Sequence, residues 1–118
     1  MSAARSKGTL AETALVKFLA VNGFPHAERR ALHGTEDKGD ITGTVGLAWE
    51  VKNHRSYHFP EWFKELKEET KNAKADHGIL IVKPNRVGVN DVGDWWALMP
   101  VAAIVQLLRE AGYGDSIK

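Results

Sequence analysis

The chain has 118 residues, 43% of them hydrophobic and 26% charged, with a formal net charge of +1. This is the composition of one compact globular domain, and it excludes a disordered, fibrous or low-complexity chain. Cysteine is absent, which excludes a disulfide framework, a thiolate zinc site and a cysteine nucleophile.

In chain order, the first predicted element is a helix from about Thr9 to Val21, stopped by Asn22-Gly23 and Pro25. Leu15, Val16 and Leu19 form its apolar arc, which Ala11, Phe18 and Ala20 extend. Glu12 falls near the centre of that arc, with Lys17 on the far side. A carboxylate packed there is costly unless a cation or hydrogen-bond donors receive it. The competing account is a first-turn acid favoured by the helix dipole and still in reach of water. A short strand follows over Ala27–Leu32, sending Arg29 and Arg30 to opposite faces. The stretch His33–Gly39 is a polar loop containing His33, Glu36, Asp37 and Lys38.

Two short strands come next, Asp40–Thr44 and Leu47–Lys52, joined at Val45-Gly46 as a hairpin would be. With a period of two, Leu47, Trp49 and Val51 share one face of the second strand, and Ala48, Glu50 and Lys52 share the other. A hairpin brings the Asp40 carboxylate beside Glu50. Two carboxylates and an ammonium meeting at a strand end suit a hard divalent cation and phosphodiester hydrolysis. The same pattern is also that of a Glu50–Lys52 salt bridge on an edge strand.

The loop Asn53–Phe59 places His54 and Arg55 close to Lys52, which reads either as a DNA contact or as a solvated loop. His54 and His58 lie four apart but on no helix, so they make a poor zinc pair. A helix from Pro60 to about Ala75 carries Trp62, Leu66 and Ala73 on one side, with Lys and Glu residues over the rest. It reads as an outer, half-solvated helix. Gly78–Lys83 is an apolar run fit for a central strand. Asp94–Met99 is a further strand, with Trp95 and Trp96 on opposite faces, and Pro100 opens an apolar helix ended by Gly112. The order α-β-β-β-α-β-β-α predicts an α/β protein whose mixed sheet carries helices on its faces. The last helix is apolar on nearly every side, which predicts an isologous dimer using that region. No apolar run approaches a membrane span, and residues 1–20 lack the apolar core of a signal peptide. A cytoplasmic location is the expectation.

Glu12 on the first helix, Arg29-Arg30 on the first strand, G-D-I at Gly39–Ile41 and E-V-K at Glu50–Lys52 together resemble the PD-(D/E)xK nuclease superfamily. Within it the chain looks most like the small Holliday junction resolvases of archaea and phages. The stretch from Lys7 to Gly34 is most similar to the actinobacterial-phage branch. The likeness covers about Lys7 to Lys83. It implies a restriction-endonuclease-like mixed sheet flanked by helices, with an α-β-β-β-α-β core. It also implies a homodimer, in the host cytoplasm for a phage protein, that nicks four-way or otherwise branched DNA with Mg²⁺, or Mn²⁺ as substitute. Asp40 and Glu50 would then be metal ligands, joined by Glu12 directly or through water, and Lys52 the catalytic lysine. Arg29 or Arg30 would clamp the scissile phosphate, and Lys38, His54 and Arg55 would contact DNA. Other readings of the same pattern are a nuclease acting on single-stranded or flap DNA, and a noncatalytic DNA-binding protein. One departure stands out: Gly39 occupies the position of the superfamily's proline.

Overall fold

A computed structural model describes residues 3–31 and 36–117. Leu32 and His33, expected in the first strand and in the loop after it, lie outside the described residues. The elements are α1 (Ala3–Val21), β1 (Glu28–Arg29), β2 (Ile41–Thr42), β3 (Leu47–Lys52), α2 (Phe59–Asn72), β4 (His77–Val82), β5 (Trp96–Leu98) and α3 (Val101–Glu110). A single 3₁₀ turn, Val92–Asp94, precedes β5. The expected order of elements is therefore present, and the class is α/β.

Helix α1 starts six residues earlier than Thr9, because Ala3, Ala4, Arg5 and Lys7 are good helix formers. It ends as expected at Asn22-Gly23. There Gly23 takes φ 103°, and the Phe24 N–H returns to the Leu19 carbonyl at 2.9 Å.

Strand β3 pairs parallel with β4, and α2 makes the crossover between them; β5 closes the other side of β4 in antiparallel register. This three-stranded sheet is mixed, as expected, but β1 and β2 form a separate two-stranded antiparallel ladder. The expected strands Ala27–Leu32 and Asp40–Thr44 are cut to two residues each. Positive φ at Gly39 (97°) and Gly43 (84°) brackets β2 and breaks its alternation at both ends. Two backbone bonds carry the connection from the β2 segment to β3, the Asp40 N–H to the Trp49 carbonyl at 2.8 Å and the Leu47 N–H to the Thr44 carbonyl at 3.0 Å.

The sheet separates two cores. Trp49, Val51, Ile79 and Ile81 point to α1 and pack with Ala11, Leu15, Leu19, Ile41 and Trp95. Leu80 and Val82 point to α2 and pack with Trp62 and Leu66. Glu50 and Lys52 belong to this second face by strand alternation, so the acids meet α2. Trp95 is buried while Trp96 is 45% exposed, in keeping with opposite faces. Helix α3 buries none of its residues. No helix among the described residues is long and apolar enough to cross a membrane.

Candidate metal centre

Glu50 sits midway along β3, where Leu80 of β4 is its register partner, and it is only 5% exposed. Asp40 is fastened to the same strand twice. Its N–H donates to the Trp49 carbonyl, and its Oδ2 accepts the Val51 N–H at 2.7 Å. The two carboxyl groups are thereby held within hydrogen-bonding reach of one another. Gly39 explains the departure from proline. Its φ of 97° is closed to proline, and a Cβ there would stand 2.8 Å from the Trp49 carbonyl oxygen.

Lys52 lies one pleat beyond Glu50. Its Nζ is 3.9 Å from Glu50 Oε1 and 2.9 Å from Glu65 Oε2, and it stands 5.7 Å from the centroid of the Trp62 ring. The salt bridge considered from the sequence thus exists, but with Glu50 buried and with Glu65 as the closer partner. Burial works against the Lys52 ammonium, yet Glu50, Glu65 and Asp40 outweigh it and raise its affinity for the proton above the ordinary value.

Glu12 lies at the edge of this group. It receives the Arg29 Nε at 3.0 Å, so donors and not a cation alone meet its charge. Its affinity for a proton is raised by burial and by Asp40, against the pull of Arg29. Arg29 is the arginine on the side of Glu12. Arg30 points the other way, into a cavity of about 210 Å³ lined by Thr42, Thr44, Leu47 and Ala73, which contains none of the predicted ligands.

Lys38, His54 and Arg55 are all exposed, on the loops that enter Asp40 and leave Lys52. The His54 ring lies tilted against Trp62 with centroids 5.3 Å apart, and burial followed by the nearby Lys52 charge keeps it more easily neutral than an ordinary histidine.

Two acids of the site were not anticipated. The buried stripe of α2 runs Trp62, Leu66, Glu69, at i, i+4 and i+7, and Glu69 is 1% exposed. Contrary to the expectation that Lys and Glu lie only outside the apolar stripe of α2, the stripe itself carries an acid at its third step. Asp37, assigned to a plain polar loop, is held by the Gly39 N–H on its Oδ1 at 3.0 Å. Its carbonyl accepts Asn72 Nδ2 of α2 at 2.9 Å. One carboxylate oxygen from each of Asp37, Glu50 and Glu69 lies within 4.8 Å of the other two.

The electrostatic result is an excess of buried acid. Burial first, then the neighbouring carboxyl groups, push Asp40 up to about 8, Glu50 up to about 9 and Glu69 up to about 7. Without a cation the cluster retains protons at neutral pH. An all-oxygen donor set and an unpartnered buried oxygen on Glu69 both fit a hard divalent ion.

No protein-family model, curated protein or solved structure matches the chain. The functional reading therefore rests on the geometry of this centre.

Proposed function

We propose that the chain is a divalent-cation-dependent endonuclease on a restriction-endonuclease-like fold, cutting phosphodiester bonds in branched DNA, with the four-way junction as its substrate. The observation that carries this reading is the convergence of Asp40, Glu50 and the Lys52 ammonium at one point on the α2 side of β3. Asp40 and Glu50 would hold Mg²⁺, or Mn²⁺ in its place. When bound there, the ion polarises a phosphate oxygen and lowers the pKa of a water.

The remaining roles belong to the chain's own groups. Lys52 offers an ammonium beside Glu50, fixed by Glu65, to the negative charge that grows on the phosphate as it is attacked. Arg29, its side chain 45% exposed beside Glu12, is open to a phosphate oxygen. Lys38, His54 and Arg55 surround the site on exposed loops and would follow the DNA backbone. Two such sites in an isologous dimer would face symmetric strands of a junction.

The test is cleavage of labelled four-way junction, flap, single-stranded and linear duplex DNA, in excess EDTA and with Mg²⁺, Mn²⁺ or Ca²⁺. Junction cutting with Mg²⁺ or Mn²⁺, none in EDTA, and binding without cutting in Ca²⁺ are expected. Full activity in EDTA, or no cleavage of any branched substrate with Mg²⁺, overturns the proposal. Preference for flap or single-stranded DNA would overturn the junction as substrate.

A further inference from the structure

We propose a second cation position in this centre, formed by Asp37, Glu50 and Glu69, alongside the one that Asp40 and Glu50 would hold. It deepens the reading above and rests on that reading only for the first ion. Hard cations take oxygen ligands at roughly 2.0 to 2.6 Å, so oxygens on opposite sides of one ion stand about 4 to 5 Å apart. Oxygens of Asp37, Glu50 and Glu69 are mutually within 4.8 Å. A single ion can therefore touch all three while the backbone stays in place.

Glu69 supplies the independent observation. It is 1% exposed, and its Oε2 has no hydrogen-bond partner among the described residues. A buried carboxylate oxygen with no donor is costly, and without a cation only a proton retained within the cluster can meet it. Trp62 and Leu66, on the same stripe of α2, are anchored in the core against Leu80 and Val82, so the helix cannot roll Glu69 out to water. Lys52 does not meet the need, because its ammonium is engaged by Glu65 and Glu50. A cation between Glu50 and Glu69 would.

Asp37 closes the opposite side. The Gly39 N–H fixes its carboxylate, and Asn72 ties its carbonyl to the helix that carries Glu69. A cavity of about 510 Å³, lined by Asp37, Glu65 and Glu69 among others, opens two of the three acids, Asp37 and Glu69, to solvent. Three carboxylates and no nitrogen or sulfur donor select Mg²⁺, Mn²⁺ or Ca²⁺ over zinc.

The experiment is a Mn²⁺ titration of metal-free protein at pH 7.5, reading free aqueous Mn²⁺ by electron paramagnetic resonance. Wild type is expected to bind two equivalents. Glu69→Gln should bind one, with the other weakened at least tenfold, and Asp40→Asn should lose the other equivalent instead. Should Glu69→Gln not fold, Asp37→Asn on the exposed loop gives the same readout. A single equivalent in wild type, or two retained at unchanged affinity in both Glu69→Gln and Asp37→Asn, overturns the second position. Protein that cuts junctions with Mg²⁺ yet binds one Mn²⁺ overturns this inference alone. Protein that binds two ions, loses one in Glu69→Gln and cuts no branched DNA supports it and overturns the nuclease reading.

Discussion

Replacing Glu50 by glutamine should remove activity and, in chelator, make the protein more stable. Ionised Glu50 has Lys52 at 3.9 Å and Glu69 within 4.8 Å. At an effective dielectric constant of about 20, the first contact attracts by about 4 kcal/mol and the second repels by about 3.5 kcal/mol. The two nearly cancel. Repulsion from Asp40 and the loss of hydration then remain unopposed, and folded Glu50 retains its proton up to about pH 9. Its pKa is raised in the folded state, so between the ordinary glutamate value and that pH the folded chain binds more protons than the unfolded one. Stability therefore falls as pH rises across the interval. Glutamine has no proton to lose in either state. At pH 8 in EDTA, Glu50→Gln should gain about 1 to 3 kcal/mol, a rise in Tm of roughly 4 to 10 °C for a chain of this size. At pH 5 the gain should shrink below about 1 kcal/mol, since the unfolded glutamate is then only partly ionised. Mg²⁺ should raise the Tm of wild type and not that of the variant. Thermal unfolding followed by circular dichroism at both pH values, with and without Mg²⁺, reads all four quantities. A lower Tm for the variant at pH 8 in EDTA, or equal stabilisation of both proteins by Mg²⁺, would refute the reasoning.

Metal-free wild type should itself lose stability steadily from pH 5 to pH 9, because Asp40, Glu50 and Glu69 all have raised folded pKa values; a flat or rising profile in EDTA contradicts the buried acid cluster. Lys52→Ala should lower junction cleavage by at least ~100-fold while junction affinity changes only a few-fold, the ammonium being one cation among several that meet phosphate. An undiminished cutting rate in that variant would remove Lys52 from the chemistry. Arg29→Ala should cost much more activity than Arg30→Ala, since only Arg29 pairs with Glu12 at the centre; equal mild losses would make both ordinary surface charges. In solution the mass should be about twice 13.1 kDa and should halve on Trp96→Glu or Val105→Glu. A monomer that still resolves junctions would refute the dimer as the source of selectivity.

What the sequence made legible follows from strict local rules. Alternation along Leu47–Lys52 put Glu50 and Lys52 on one face, and the run Gly78–Lys83 announced a strand covered on both sides. Asp40 beside Glu50 needed only a short turn, and the Thr44 carbonyl accepting the Leu47 N–H at 3.0 Å supplies it. Glu69 was less visible because α2 carries many acids, and only the step from Trp62 and Leu66 by four and then three residues separates it from Glu68 or Glu65. That spacing was present in the sequence and would have sufficed. Asp37 was out of reach of any local rule. Its position depends on a positive φ two residues later and on an amide from Asn72, 35 residues away. Helix α3 reads as apolar on nearly every side, and because the sheet faces are already filled by α1 and α2, Val101, Val105 and Leu108 stay exposed.

The two faces of the sheet divide the work between them. Toward α1 the packing is apolar throughout, with Trp49, Val51, Ile79, Ile81 and Trp95 against Ala11, Leu15 and Leu19. That face can carry most of the fold's stability, at about 25 cal/mol for each Å² of apolar surface removed from water. Toward α2 the apolar cluster of Trp62, Leu66, Leu80 and Val82 is interrupted by Glu50, Lys52 and Glu69. Packing alone would place leucine or valine there. Four carboxyl groups, Asp37, Asp40, Glu50 and Glu69, instead meet one ammonium that is already shared with Glu65. Such an arrangement lowers stability in the metal-free protein; on the proposed reading a cation would restore it, and cation affinity and folding free energy would be one linked quantity. A merely structural salt bridge would need one acid per base and would gain nothing from burying the rest. The surplus of acid, set on the face that the first core leaves free to be strained, is what the proposed cation centre accounts for and an ordinary charged patch does not.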